Sequence, residues 1–244
     1  MPMAGRGSRF FDNGFVQPKP LIEIHGKPFF YWAARSIEKN IDLDGITFVV
    51  LKEHIRDFAL DARIHAFWPD ARIVALEDVT PGAAVTCQKG CEDLPDGVPV
   101  LFNDCDHLFL CSAFDDFCRE GNFAQGPDGA LLTFPSDSPA YSYLQYGPDG
   151  LVCRTVEKQV VSRDAICGAY YFKDKATYLD ACAEYLHTCQ YKEFFVSGVY
   201  NVLAARGRRV QGFATDLHLP FGTPAEYALA ERPENAAGFA ALNA

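Results

Sequence analysis

Apolar and polar positions follow two rhythms along the first half of the chain. Short apolar runs at residues 46–51, 72–76 and 98–102 have the length and β-branched content of buried strands. Before and between them, residues 28–40, 53–67 and 83–93 repeat their apolar side chains at helical spacing. Strands alternating with helices predict βαβ units, and hence an α/β domain whose sheet is mainly parallel and covered by helices on both faces. A helix over residues 112–120, with Ser112 as its N-cap, and a strand over 130–134 complete this half.

The second half changes character. Residues 142–146 and 151–156 flank the turn Gly147-Pro148-Asp149-Gly150 and read as a β-hairpin. A strand at 165–172, helices at about 174–189 and 193–206, and a late strand at 208–213 follow. Residues 233–244 read as a short helix or a frayed tail. The chain shows neither an internal repeat nor a Pro/Ser-rich linker, so its 244 residues are expected to form one domain.

Composition narrows the function classes. Forty-nine per cent of residues are hydrophobic, enough for a substantial core, yet no apolar run reaches the length of a membrane span. The first residues lack a charged-then-apolar leader, so the expected location is cytoplasmic. A net charge of −10 argues against a nucleic-acid partner. Against that trend, residues 1–27 carry Arg6, Arg9, Lys19 and Lys27 but only Asp12 and Glu23. The nine cysteines contain no C-x-x-C pair and several fall in apolar segments, the pattern of buried reduced thiols rather than of a disulfide framework or a zinc site.

The basic island coincides with a glycine-rich loop, Ala4-Gly5-Arg6-Gly7-Ser8-Arg9, followed by Pro18-Lys19-Pro20-Leu21. Glycines let backbone N–H groups turn toward an anion without hindrance from Cβ atoms, and such nests bind phosphates. Arg9 and Lys19 can neutralise a triphosphate, Lys19 with its backbone restricted by the prolines on either side. The loop is neither a Walker loop, which ends in G-K-[ST], nor a dinucleotide fingerprint, which needs a third glycine. Further along, Asp104 and Asp106 follow the apolar run at 98–102, at the carboxyl end of a strand, where open α/β sheets bind their ligands. Carboxylates there can hold Mg2+, which prefers hard oxygen ligands and shares them with substrate phosphates. Residues two apart on an extended chain face opposite ways, so both serve as ligands only if the strand has already turned.

Several motifs recur in a recognisable order: the loop at 4–9, Pro18–Lys19–Pro20–Leu21, Gly26-Lys27-Pro28, Thr80-Pro81-Gly82-Ala83-Ala84, Asn103-Asp104-Cys105-Asp106, Glu157-Lys158, Gly168-Ala169-Tyr170-Tyr171-Phe172 and Gly222-Thr223-Pro224. This series resembles the signature of the sugar-phosphate nucleotidyltransferases, or nucleoside-diphosphate-sugar pyrophosphorylases, in the flavour found with capsule and surface-polysaccharide genes. The resemblance implies a three-layer α/β/α Rossmann-like fold of the nucleotide-diphospho-sugar transferase (GT-A-like) type, with a β-hairpin insertion. It divides the domain into a nucleotide-binding half (1–134), an acceptor-binding half (135–232) and a C-terminal tail (233–244).

The resemblance also implies roles. Ala4, Gly5, Gly7 and Ser8 would bind the triphosphate of an NTP, with Arg9 and Lys19 stabilising the transition state. Gly82 and Ala83 would receive the base. Asp106 would hold Mg2+ with Asp104 in support, and Glu157, Lys158 and Gly168 would face a sugar 1-phosphate. The implied reaction transfers NMP to that acceptor and releases pyrophosphate. Where many members carry a second metal-binding aspartate this chain has Pro220, with Asp216 upstream as a possible substitute, and Ser142-Tyr143 stands where many have Tyr-Gly. Alternatives are the same chemistry on a non-sugar phosphate such as phosphocholine, a glycosyltransferase of the related fold, and a nucleotide-sensing domain. His107, beside Asp106, reads as a loop histidine with a local hydrogen bond. Only Met1-Pro2-Met3 precede the glycine-rich loop, which predicts a shortened first strand and a looser phosphate loop. Oligomeric state is not readable, and a homo-oligomer stays open.

Overall fold

The computed structural model describes residues 1–243. In chain order its elements begin with α1 (Ser8–Phe11), β1 (Glu23–Ile24), β2 (Lys27–Pro28), α2 (Phe29–Glu38), β3 (Thr47–Leu51), α3 (Lys52–Phe58), α4 (Leu60–His65) and β4 (Arg72–Leu76). They continue with α5 (Ala83–Cys91), β5 (Val100–Asn103), β6 (His107–Leu110), α6 (Ser112–Glu120), β7 (Gly129–Pro135), β8 (Ser142–Tyr146), β9 (Val152–Glu157) and β10 (Asp164–Phe172). The last are α7 (Lys175–Thr188), α8 (Val196–Ala205), β11 (Val210–Ala214), β12 (Leu217–Pro220), α9 (Pro224–Ala230) and α10 (Ala236–Asn243). Two compact units form, each from separated stretches. The first comprises Met1–Thr80, Asn103–Leu110 and Leu217–Ala244, the second Pro81–Phe102 and Cys111–Asp216.

In the first unit β3 and β4 pair in parallel from Thr47↔Arg72 to Leu51↔Leu76. Pro2 bridges Val49, also in parallel, and the Met3 N–H donates to the Val49 carbonyl at 2.7 Å. The chain therefore enters its glycine-rich loop directly from a backbone ladder. Helix α2 buries Phe29, Phe30, Trp32, Ala33, Ala34 and Ile37, and the Trp32 indole donates to the Ile24 carbonyl at 2.8 Å. Its far end carries Arg35 and Lys39, which donate to the Leu242 and Ala241 carbonyls at the end of α10. Cations suit the negative end of a helix, so the C-terminal segment is docked, with Phe239 and Leu242 buried beside Trp32.

One sequence expectation fails here for a physical reason, and two strands were not foreseen. Residues 53–67 form two helices, because Ala59 adopts a left-handed conformation (φ 51°) between α3 and α4. The reversal sends Leu60 and Ile64 into the core with Phe30 and Phe48. Strands β6 and β12, which pair antiparallel from Leu217↔Leu110 to Pro220↔His107, are too short for a period-2 signal.

The second unit is built on a six-stranded sheet in the order β11-β7-β10-β8-β9, with β5 also on β10. Only β7–β11 is parallel among the pairings with a defined register; β7–β10, β10–β8 and β8–β9 are antiparallel. The expected mainly parallel sheet is therefore corrected to a mixed one. Between Gly129 and Phe172 the chain makes four strands with no helix, and parallel neighbours require a crossover of a dozen or more residues. Helices α5, α7 and α8 cover this sheet with Ala84, Cys87, Cys91, Tyr178, Cys182, Val199 and Tyr200. All nine cysteines are free thiols, six of them buried. Among the described residues no helix is long and apolar enough to cross a membrane.

Ser112 does not cap α6. The N-cap position is Cys111, whose side chain makes no cap bond, and the Asp216 carboxylate takes the Ser112 N–H at 2.6 Å instead. An acid at a helix N-terminus both fills an orphan donor and complements the helix dipole. Asp216→Ala should therefore lower unfolding stability by about 1 kcal/mol, measured by urea denaturation. An unchanged midpoint would contradict this role for Asp216.

Candidate functional site

The predicted residues gather into two groups, one in each unit. In the first unit the loop after Met3 starts with buried Ala4 and then turns outward, leaving Arg6, Ser8 and Arg9 exposed. Gly7 is required twice over: its φ is +62°, and a Cβ there would stand 3.0 Å from Lys19 Cβ. Around Gly5 no heavy atom lies within 4 Å of where a Cβ would be, so its backbone faces open space. Phe10 anchors the loop, packing edge-on against Phe15 and Phe29.

Lys19 opens a single 3₁₀ turn, Lys19–Leu21, whose Pro20 and Leu21 are buried. Its ammonium donates to Asp106 Oδ2 at 2.9 Å, with the two side chains 27% and 22% exposed. Asp106 lies in the bend between β5 and β6, past the end of the strand, so Asp104 and Asp106 are not bound by strand alternation. The Asp106 carbonyl accepts the Phe221 N–H at 2.9 Å. A Cβ on Gly222 would stand 2.3 Å from Asp106 Oδ2, so only glycine allows the segment after β12 to close on this carboxylate.

Electrostatics follow from that packing. Burial lowers the affinity of the Lys19 ammonium for its proton, and the Asp106 carboxylate more than offsets this, holding it above the ordinary lysine range. Burial pushes the Asp106 carboxyl up, but Lys19, then His107 and Arg9, carry it below the usual aspartate range. The Cys105 thiol is pushed up to about 12 by burial, against the pull of Lys19, and is inert. His107 is not a loop residue; it sits in β6, 2% exposed, with Nε2 3.0 Å from Asn103 Oδ1. Asn103 donates its amide to the Ala33 carbonyl, which orients its oxygen toward the imidazole N–H. Burial lowers His107 to about 4, with Asp106 opposing, so it is neutral at pH 7.

A carboxylate oxygen of this kind is a donor that a hard divalent cation accepts, and the space beside Oδ2 exists only because residue 222 lacks a Cβ. Pro220, paired with His107 across β12 and β6, offers no donor where a second carboxylate would be sought.

In the second unit Gly82 precedes α5, and a Cβ on it would lie 2.4 Å from the Phe194 backbone nitrogen. The Phe194 N–H donates to the Pro81 carbonyl at 3.3 Å, and the Ala84 N–H to the Phe194 carbonyl at 2.9 Å. Gly82 is thus explained by a close backbone approach, with Ala83 half-buried beside it. Gly168 has φ 101° where the register between β7 and β10 shifts, a bulge within a buried strand.

Glu157 ends β9 directly opposite Ser142 of β8. Its Oε1 accepts from Ser142 Oγ at 2.5 Å and from Ser197 Oγ of α8. Lys158 then takes a left-handed turn (φ 54°) and sets its ammonium 5.5 Å from the Phe195 ring centre. Residues 194–197 therefore touch Gly82, Lys158 and Glu157 in turn. Sequence reasoning missed that segment. Ser142 becomes legible once the hairpin register is known, but Ser197 has no local signal.

No protein-family model and no curated protein matches the chain. Solved structures do. A nucleoside-diphosphate-sugar pyrophosphorylase from Vibrio cholerae RC9 superposes with a TM-score of 0.80 at 26% identity, over 95% of this chain and 98% of that one. A putative glucose-1-phosphate thymidylyltransferase from Bacillus anthracis gives 0.75 at 18% identity, over 97% and 92%. The inositol-1-phosphate CTP transferase from T. maritima gives 0.74 at 15% identity, over 99% and 94%. The chain thus shares its α/β fold with nucleotidyltransferases.

Two outcomes follow from the first unit. Gly222→Ala should force Asp106 aside and cost about 1–3 kcal/mol of stability, as overpacking does, read by urea denaturation; no loss would mean that the carboxylate yields freely. The unfolded chain binds a proton at His107 from about pH 6.5 downward, whereas the folded chain does so only near 4. Stability should therefore fall as pH drops through that window, and His107→Gln should flatten the fall. Equal pH slopes in the two proteins would contradict the assignment.

Proposed function

We propose that this chain is a nucleotidyltransferase that moves NMP from an NTP to a small phosphorylated acceptor, first of all a sugar 1-phosphate. The observation that carries the reading is the Lys19–Asp106 pair at 2.9 Å, set between the glycine-rich loop and Gly222. The likeness to three structures named for this chemistry supports it. In the proposed reaction an acceptor phosphate oxygen attacks the α-phosphorus in line, the bond to the bridging oxygen breaks, and pyrophosphate leaves with the electron pair. The attacking oxygen is already anionic, so no general base is required. The protein's part is positioning and neutralising charge.

Gly5, Gly7 and Ser8 present backbone to the triphosphate in this reading, while Arg9 and Lys19 neutralise the charge that develops. Asp106, supported by Asp104, would hold Mg2+, which when bound screens phosphate charge. Gly82 and Ala83 would border the base, and Glu157, Lys158 and Gly168 the acceptor. Nine free thiols fit a reducing, cytoplasmic compartment, and the products would feed surface-polysaccharide synthesis. The T. maritima structure, named for an inositol phosphate, keeps a non-sugar acceptor as a second reading.

A matrix of nucleoside triphosphates against sugar 1-phosphates, inositol 1-phosphate and phosphocholine, with Mg2+ and read by pyrophosphate release, tests the proposal. One pairing should stand out, and silence from well-folded protein would sink it. Lys19→Ala should lose about 10²–10³ in turnover, the usual worth of one charge-stabilising contact. Near-normal turnover would remove Lys19 from the mechanism.

A further inference from the structure

The acceptor side holds an arrangement that the motif Glu157-Lys158 does not require. Both hydroxyl donors on the Glu157 carboxylate converge on one oxygen, Oε1: Ser142 from the opposing strand and Ser197 from the first turn of α8. Among the described residues Oε2 accepts no hydrogen bond. A glutamate has three side-chain torsions to restrain, and two donors from different elements fix both the position and the plane of its carboxylate. Ser197 is 1% exposed, so its hydroxyl is committed inside the fold rather than shared with solvent. The N-cap of α8 is Phe195, whose ring lies against the Lys158 ammonium.

We propose that Ser142 and Ser197 are positioning residues for the acceptor: they hold Glu157 so that Oε2 alone is presented to a hydroxyl of the incoming phosphorylated compound. This rests on the reading of Glu157 as an acceptor contact. With Oε1 occupied, Glu157 offers one directed hydrogen bond rather than a bidentate one. Losing either serine frees the carboxylate to rotate, and acceptor binding suffers while nucleotide binding does not.

The test is steady-state kinetics with the best NTP and whichever of glucose 1-phosphate and inositol 1-phosphate is turned over faster. Ser197→Ala and Ser142→Ala should each raise the acceptor KM about tenfold, the scale of a lost charge-assisted hydrogen bond, with the NTP KM changed less than twofold. Ser142→Thr, which keeps the hydroxyl on a strand residue, should restore most of the acceptor KM lost in Ser142→Ala. Glu157→Gln provides the control for the underlying reading. If it leaves the acceptor KM unchanged, Glu157 is not an acceptor contact and the proposal falls with it. If Glu157→Gln raises that KM but neither alanine variant does, the positioning role alone is overturned. Equal rises in both KM values, or turnover of neither acceptor, likewise overturn it.

Discussion

A lysine and an aspartate 87 residues apart in sequence meet at 2.9 Å, and the first unit is arranged so that they can. Gly7 lets the glycine-rich loop lie against Lys19, and Gly222 lets the segment after β12 lie against Asp106. Pro18 and Pro20 restrict the backbone that carries the ammonium. Partial exposure places the pair between surface ion pairs, worth about 0–1 kcal/mol, and buried ones, where removing a partner costs about 3–5 kcal/mol. The chemistry matters as much as the energy. Asp106 Oδ2 can serve an ammonium or a hard cation, and phosphate oxygens would give Lys19 another anion to hold. A site made of such exchangeable partners suits a ligand that carries negative charge.

Much of the first unit is legible from periodicity, because β3, β4 and α2 are long enough to show their period and carry apolar faces. The break at Ala59 is not legible, since alanine favours helix and the reversal is imposed by where Leu60 and Ile64 must go. Strands β6 and β12 escape notice because each has four residues and finds its partner more than 100 residues away. The mixed sheet had a visible cause: four successive strands with no helix between them leave no crossover for parallel pairing. Reading the alternation of the first half across the whole chain hid it.

Candidate site residues divide the same way. Lys19 and Asp106 stand in local motifs and are found by inspection, whereas Ser197 acts on a residue 40 positions earlier and is visible only in three dimensions. Gly82 shows how a motif glycine can also have a packing cause, here the Phe194 backbone. Structures that share this fold carry names with different acceptors, a glucose phosphate in one and an inositol phosphate in another. Fold alone therefore does not name the acceptor, which has to be read from the side chains of the site itself.

Whether transfer occurs at the α-phosphorus is decided by the fate of a label. NTP labelled at the α-phosphate should give label in a nucleoside-diphosphate derivative of the acceptor, and γ-labelled NTP should give label in pyrophosphate. Label from the γ-position in orthophosphate or on the acceptor, with the α-phosphate left on free nucleotide, would rule out nucleotidyl transfer.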